Sequence, residues 1–470
     1  MKFAEKDRPY RRYGAVHIDQ IPQLADRSRE WLLTLRALAK VFPFRVNSYV
    51  LDRLIDWSRV PDDPMFQLTF PQAGMLDPND LELLRGLVQE GEAAKASLDA
   101  EVRRIHLSMN PHPGAQASLN IPTEDGVEVP GMQHKYRETV LFFPSAGQTC
   151  HAYCTYCFRW PQFVGLDDMK FASKEVAPLV AYLKQHREVQ SVLLTGGDPL
   201  VMRSAVLRRY IEPLLNDPAL DHVTSIRIGS KAPAYWPHRF VQGEDAEDLL
   251  RLFSEVRAAG KEMALMAHFS HPRELETEIA QMAMERVLAA GATVRTQAPL
   301  IKHVNDSAPV WADLWARQVK AGLVPYYMFV ERDTGARGYF EVPLWRASMI
   351  FSEAYQQLTG LGRTARGPVM SCTPGKVLVE GVAEIHGEKV FVLKLLQGRD
   401  PSWVNRIFFA RYSQRASWMS QLKPALGEEE FFFAEGMRSI RQSGEGRVWM
   451  QSDVNSLEES WRLDPHRSSE

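Results

Sequence analysis

Six short runs of β-branched and aromatic residues, most of them ending in glycine or polar positions, punctuate the middle of the chain. They are RETVLFF (137–143), QSVLLTGGD (190–198), HVTSIRIGS (222–230), KEMALMAHFS (261–270), ATVRTQAPL (292–300) and LVPYYMFV (323–330), and their composition predicts buried strands. The later ones recur at intervals of roughly 30 to 40 residues, the length of a βα unit. Between them, SAVLRRYIEPLLND, DAEDLLRLFSEVRAAGK and ELETEIAQMAMERVLAAG carry apolar residues at i, i+3 and i+4, and the last two end close to a glycine, as helices with a C-terminal cap do. The pattern predicts six consecutive βα repeats in an α/β fold, a parallel partial barrel whose chemistry lies at the C-terminal ends of its strands.

The flanking sequence changes period. RSREWLLTLRALAKVFPFRVNSYVLDRLIDW and DPNDLELLRGLVQEGEAAKASLDAEVRRI read as helical, the second with Asp77 as N-cap and Pro78 in the first turn. No chemistry is legible there, and the expected job of this region is to cover the open side of the barrel. The tail, FFFAEGMRSIRQSGEGRVWMQSDVNSLEESW, carries apolar aromatics that need a surface to cover them, either the barrel mouth or a second copy of the chain. The expected organisation is an N-terminal helical region (1–130), the partial barrel (131–335), a segment at 336–400 and a C-terminal extension (401–470).

Composition narrows the class. With 45% hydrophobic residues, 24% charged and a formal net charge of -2, there is no electrostatic case for binding nucleic acid or an anionic membrane. The N-terminus, MKFAEKDRPYRRYG, lacks the apolar core of a signal peptide, and no apolar run approaches a membrane span. The expected location is a reducing cytoplasm, where clustered thiols serve metals or redox chemistry rather than structural bridges.

Three of the four cysteines fall in CHAYCTYCFRW, residues 150–160. Cys150, Cys154 and Cys157 form CxxxCxxC, which is not the paired CxxC spacing of a structural zinc site. Zinc would need a fourth protein ligand; Cys372 is more than two hundred residues away and His151 is wedged against the first thiol. Three thiols on one short loop suit a 4Fe-4S cluster with one iron left open. The plainer alternative is a set of buried thiols acting as small hydrophobes among Tyr153, Tyr156 and Phe158. One βα unit later, GGDPL at 196–200 offers two glycines that let backbone approach a ligand and the carboxylate of Asp198, although a GGD on its own is also a common turn.

Taken in order, DDPMFQLTFPQ, VPGMQHKY, CxxxCxxC followed by FR, LLTGGDPL, IRIGSKAP, AHFSHP, the VND after QAPLI, PYYMF and a late PGK resemble the lysine 2,3-aminomutase family of radical S-adenosylmethionine enzymes. The resemblance runs from about residue 60 to about 395. It implies the partial (βα)6 TIM-like barrel of the radical SAM fold, a 4Fe-4S cluster on the three cysteines, and S-adenosylmethionine chelated to the open iron; a fourth cysteine would block that site. It also implies S-adenosylmethionine contacts from Tyr156, Gly196, Gly197, Asp198, His268 and Gln297. Pyridoxal phosphate is the implied second cofactor, carried by Lys376 in CTPGKVLVEG, with Lys135 and Tyr136 of HKY at its phosphate. The match is incomplete there: the glycine run before the lysine is cut to Gly375, and a further arginine of the phosphate region is Thr139.

Substrate choice is less determined. Arg159 matches the arginine that clamps the substrate α-carboxylate, a role suited to a planar guanidinium. Where lysine-specific relatives place two aspartates around the distal ammonium, this chain has Arg332 and Cys372, so an amino acid other than free lysine is expected. Glu331 or Asp333 turned into the pocket, or a solvated ERD turn, are the alternatives. The family's zinc ligands are replaced too, with Ser307 after VND and no cysteine beyond Cys372, so no zinc is expected. The implied activity is an isomerase moving an amino group between the α and β carbons, with a reductant such as flavodoxin or ferredoxin as partner. The rivals are a radical enzyme without pyridoxal phosphate, one that modifies a protein-bound lysine, and a non-catalytic iron-sulfur sensor.

Overall fold

The structure is a computed structural model that describes residues 10–111, 113, 119–124, 126–165 and 171–442. Part of the tail quoted above, from residue 443 on, lies outside the described residues. Strand β1 (Arg12–Gly14) pairs antiparallel with β2 (Arg45–Asn47), and β3 (Thr123–Glu124) with β4 (Val127–Glu128).

All remaining strands form one eleven-stranded sheet in sequence order. They are β5 (Met132–Tyr136), β6 (Thr139–Phe142), β7 (Ser191–Leu194), β8 (Ser225–Ser230), β9 (Glu262–His268), β10 (Thr293–Leu300), β11 (Val324–Val330), β12 (Arg366–Ser371), β13 (Gly375–Ile385), β14 (Glu388–Gly398) and β15 (Ile407–Arg411). The six predicted strands are β6 to β11, mutually parallel and each hydrogen-bonded to the next. Helices fill their crossovers at Ala177–Gln185, Ser204–Asn216, Glu244–Ala258, Glu278–Ala289 and Ala308–Lys320. Gly260 and Gly291 follow two of these at φ of 77° and 83°, the left-handed conformation that ends a helix.

The strands are two-faced. Val140, Val192, Ile226, Ile228, Met263, Leu265 and Val294 are buried with Leu207, Ile211, Phe253, Met284 and Val287 of the crossover helices. The alternate positions, among them Arg227, His268, Arg295 and Gln297, are less buried and share the opposite face by the two-residue period of a strand. The sheet curls about this polar face, so that Lys135 Nζ of β5 donates to the Cys372 carbonyl after β12, and Gln397 Nε2 of β14 donates to Glu138 Oε1 at 2.8 Å.

The flanks depart from a purely helical reading. The first predicted helix stops at Val41, because Pro43 cannot continue it, and the chain then forms β2. The second breaks at Gly91 (φ 72°) into Pro78–Glu90 and Lys95–Ser108, with Asp77 accepting from Asn79 N as the expected N-cap. At the other end β13 to β15 are antiparallel and bury Phe391, Leu393, Trp403 and Phe408 together with Phe433, Met437 and Ile440 of the tail. The aromatic run is therefore covered by the chain's own sheet extension.

Asp63, fully buried, accepts from Met65 N and Phe66 N as the cap of the helix Pro64–Thr69 and also pairs with Arg273. Replacing it removes the helix cap and the carboxylate partner of the half-buried Arg273, which keeps its bond to Leu54 O, so Asp63→Ala is expected to destabilise the protein by about 2 to 3 kcal/mol, read as a lowered midpoint in urea unfolding. An unchanged midpoint would refute this assignment.

Candidate active site

The cysteine loop leaves β6 through the turn Ser145–Gly147 and is held from two sides. From the N-terminal region, Arg45 donates to Thr149 Oγ1 and, at 3.2 Å, to the Cys150 carbonyl. Asn47 Nδ2 donates to the carbonyls of His151 (3.2 Å) and Tyr235 (3.0 Å). Tyr153 N donates to Arg45 O, while Thr155 donates through N to Leu68 O and through Oγ1 to Gln67 O. Sequence reading found no chemistry in this region, since the partners are about a hundred residues from the loop and no local spacing encodes them.

From the other side comes GGD. Asp198 N donates to Gly147 O (3.0 Å) and Thr149 O (2.7 Å). A Cβ on Gly197 would stand 2.4 Å from Thr149 N, and one on Gly196, which sits at φ 141°, would stand 2.1 Å from Gln148 Nε2. Gly197 thus lets two stretches of backbone touch and Gly196 admits the Gln148 side chain, so both approach the base of the cysteine loop. Gly197→Ala is expected to displace that loop, cutting iron and sulfide bound per chain after reconstitution by more than half; parental iron content in the variant would contradict the packing. Asp198 accepts from Leu200 N (2.9 Å), Ser230 Oγ (2.7 Å) and Lys231 N (2.9 Å), tying the end of β7 to that of β8. Burial raises its carboxyl to about 6 against the pull of these donors.

Burial pushes all three thiols up, Cys157 to about 12, and the neighbouring thiols push Cys150 further in the same direction. A bound cation reverses that balance, because thiolates form as metal is taken up. Among the described residues no three His, Cys, Asp or Glu side chains converge as ligands of one metal ion. A cubane places each thiolate on a different iron, so three separated thiols on a braced loop fit it in chemistry.

His268, the last residue of β9, pairs in register with Gln297 in the middle of β10. Tyr156 hydroxyl reaches His268 Nδ1 at 3.2 Å and Ser270 Oγ at 3.4 Å. Burial and the Lys231 ammonium hold the His268 ring down at about 3, so it is neutral at physiological pH. Lys231 is itself fixed by an ion pair of 2.7 Å with buried Glu274.

A second cluster occupies the polar face around β13. Lys376 Nζ donates to Gln397 Oε1 at 2.7 Å and lies 5.4 Å from the Tyr136 ring centroid and 4.9 Å from that of Tyr327. Lys135 Nζ is 5.4 Å from the same Tyr136 ring. Burial, then Arg227 and Arg366, hold Lys376 down at about 7, and burial followed by Arg399 holds Lys135 well below the usual lysine range. The sequence-predicted trio Lys376, Lys135 and Tyr136 is therefore one group. The Tyr136 hydroxyl is buried without a well-formed hydrogen bond, and the surrounding excess of cations fits a phosphorylated aldehyde in charge. Gly375 serves the backbone instead. A Cβ there would meet Gln397 O at 2.0 Å, so the glycine permits the β13–β14 pairing. Gln397, Arg227 and Arg366 were missed, since they sit on unremarkable strands.

Phe158 lies between the two clusters, with the Arg332 and Arg159 guanidiniums 4.8 and 5.2 Å from its ring centroid. Burial lowers both, Arg159 to about 10. Glu331 and Asp333 make no ion pair with Arg332 among the described residues, and Arg332 Nε is buried without a partner.

No protein-family model matches the chain. It is 28% identical over 412 residues, 87% of this chain and 94% of the relative, to a protein of Aquifex aeolicus (strain VF5) described as "Putative L-lysine 2,3-aminomutase". It is 29% identical over 278 residues, 55% of this chain and 56% of the relative, to L-lysine 2,3-aminomutase of Bacillus subtilis (strain 168). With L-lysine 2,3-aminomutase of Acetoanaerobium sticklandii the identity is 32% over 226 residues, 48% of this chain and 51% of the relative.

Proposed function

We propose, from the premise that homologues named L-lysine 2,3-aminomutase support a member of the lysine 2,3-aminomutase family, that this enzyme is an isomerase: a radical S-adenosylmethionine aminomutase that moves an amino group between the α and β carbons of an amino acid. The curled run β6 to β11 is read as that family's partial (βα)6 barrel. The observation that carries the reading is the Lys376 amine, held near neutrality against Tyr136 on the inner face of the sheet whose β6 loop bears the three thiols.

Cys150, Cys154 and Cys157 would each hold one iron, and Lys376, Lys135 and Tyr136 would hold pyridoxal phosphate by its aldehyde and phosphate ends. When bound, the cluster with S-adenosylmethionine supplies a hydrogen-abstracting radical and pyridoxal phosphate supplies a conjugated system that stabilises a neighbouring radical. The chain's own work is positional. Tyr156, His268 and Gln297 form a wall beside the thiol loop, and neutral His268 can accept or donate a hydrogen bond there without adding charge. Arg159 and Phe158 stand between the two cofactor sites, where an amino acid would have to bind. Asp198, through its backbone N–H, and Arg45 fix the loop, and the Asp198 segment would also hold the methionyl end of S-adenosylmethionine.

Among the described residues no helix is long and apolar enough to cross a membrane. The proposed setting is a reducing cytoplasm with flavodoxin or ferredoxin as electron donor. The test is anaerobic incubation of the reconstituted protein with S-adenosylmethionine, pyridoxal phosphate, dithionite and a pool of amino acids, followed by mass spectrometry. A β-amino acid product supports the reading. Cleavage of S-adenosylmethionine with no bound pyridoxal phosphate and no β-amino acid would move the chain to the pyridoxal-free class.

A further inference from the structure

Two half-buried cations meet at the junction of the two clusters without a carboxylate partner. The Arg332 and Arg159 guanidiniums lie 4.8 and 5.2 Å from the centroid of the one Phe158 ring, so they are no more than about 10 Å apart. Neither has a carboxylate partner among the described residues, and Arg332 Nε is buried with no acceptor. Further positive charge lies close by, because Arg332 contributes to lowering the Lys135 ammonium. The flanking acids do not balance it. Neither forms an ion pair with Arg332 among the described residues: burial holds Glu331 well above the usual carboxylate range, and Asp333, raised by burial in the same direction, has Oδ1 buried without a hydrogen bond.

An unpaired guanidinium in such a place is costly unless a ligand completes it. Each guanidinium offers a planar fork that takes a carboxylate through two parallel hydrogen bonds. With forks at both ends, a molecule the size of aspartate or glutamate can reach both.

We infer that the substrate is an α-amino acid whose side chain ends in a carboxylate, with Arg159 and Arg332 each receiving one of its two carboxylates. This rests on the aminomutase reading and adds the substrate class to it. Arg332 is then a specificity-determining residue: it attracts a distal carboxylate and repels a distal ammonium.

The experiment is equilibrium dialysis of the reconstituted holoenzyme with S-adenosylmethionine but no reductant, so that binding is read without turnover. The probes are L-glutamate, L-aspartate, L-glutamine and L-lysine at matched ionic strength. Glutamate or aspartate should bind about 30-fold or more tightly than glutamine, the uncharged isostere of glutamate, and lysine more weakly still. Arg332→Gln should erase the preference for glutamate over glutamine while leaving glutamine binding and the cluster absorbance in place; Arg332→Lys should restore part of it. Equal affinity for glutamate, aspartate and glutamine, preference for lysine, or an unchanged preference in Arg332→Gln would each overturn the inference alone. Binding of none of the four amino acids would overturn the inference; binding of none together with no β-amino acid from the wider pool would overturn the aminomutase reading as well.

Discussion

A Cys154→Ala protein, reconstituted anaerobically with iron and sulfide, is expected to show no detectable reductive cleavage of S-adenosylmethionine, with Cys150→Ala and Cys157→Ala equally inactive. Three thiols is the minimum that holds a cubane while leaving one iron free, so losing any of them leaves two irons without protein ligands. The rest of the loop offers no replacement. His151 is buried and packed edge-on against Tyr10, and its carbonyl is engaged by Asn47, so its ring is held in place on the protein side of the loop. Tyr235 hydroxyl, 3.3 Å from Cys154 Sγ, is pushed well above its ordinary value by burial and is a poor anionic donor. The loop itself should survive the substitution, because its hydrogen bonds to Arg45, Asn47, Leu68 and Asp198 run through backbone atoms and Thr149. Far-ultraviolet circular dichroism should therefore match the parent while the visible absorbance of the cluster collapses. Parental cleavage activity in Cys154→Ala would sink the cluster assignment.

The parts of this architecture that were legible in the sequence are those encoded locally. Short β-branched and aromatic runs announced β6 to β11, and glycines announced the ends of two of their helices, where they adopt positive φ. The CxxxCxxC spacing placed three thiols on one loop because so short a stretch cannot carry them far apart. What was not legible is what closes over long distances. Arg45 and Asn47 read as part of a helical stretch, yet they form a strand that braces a loop about a hundred residues away. The GGD glycines read as a ligand cradle, and the contact they also make was not legible: Gly197 lies against the Thr149 backbone and Gly196 against the Gln148 side chain. The curl that sets Lys376 beside Tyr136 depends on β12 to β14 folding back toward β5, a tertiary contact with no signature in either strand. The Arg332 question is of the same kind: sequence offered Glu331 and Asp333 as ready partners, and only the backbone geometry leaves the guanidinium without them.

Reductive trapping with pyridoxal phosphate and borohydride is expected to label Lys376 before any other lysine, with a pH midpoint near 7. An amine attacks an aldehyde only as the neutral base, and an ordinary lysine near 10.4 presents roughly one molecule in 2,500 in that form at pH 7. Lys376 presents about half, because burial and then Arg227 and Arg366 hold it at about 7 while Glu138 opposes them weakly. The sign follows: labelling should rise as pH goes from about 6 to about 8 and level off above, whereas a solvated lysine would keep gaining reactivity up to about pH 10. Lys135 is the nearest competitor, also lowered well below the usual range by burial, but its Nζ is spent on the Cys372 carbonyl. Lys376→Arg keeps the charge and removes the nucleophile, so the label should disappear, together with the amino-acid isomerisation, while S-adenosylmethionine cleavage and cluster absorbance persist. Lys376→Met, which removes the charge as well, should behave alike on labelling. Trapping at Lys135 instead, or undiminished isomerisation by Lys376→Arg, would strip Lys376 of this role and leave its depressed basicity as a consequence of packing alone.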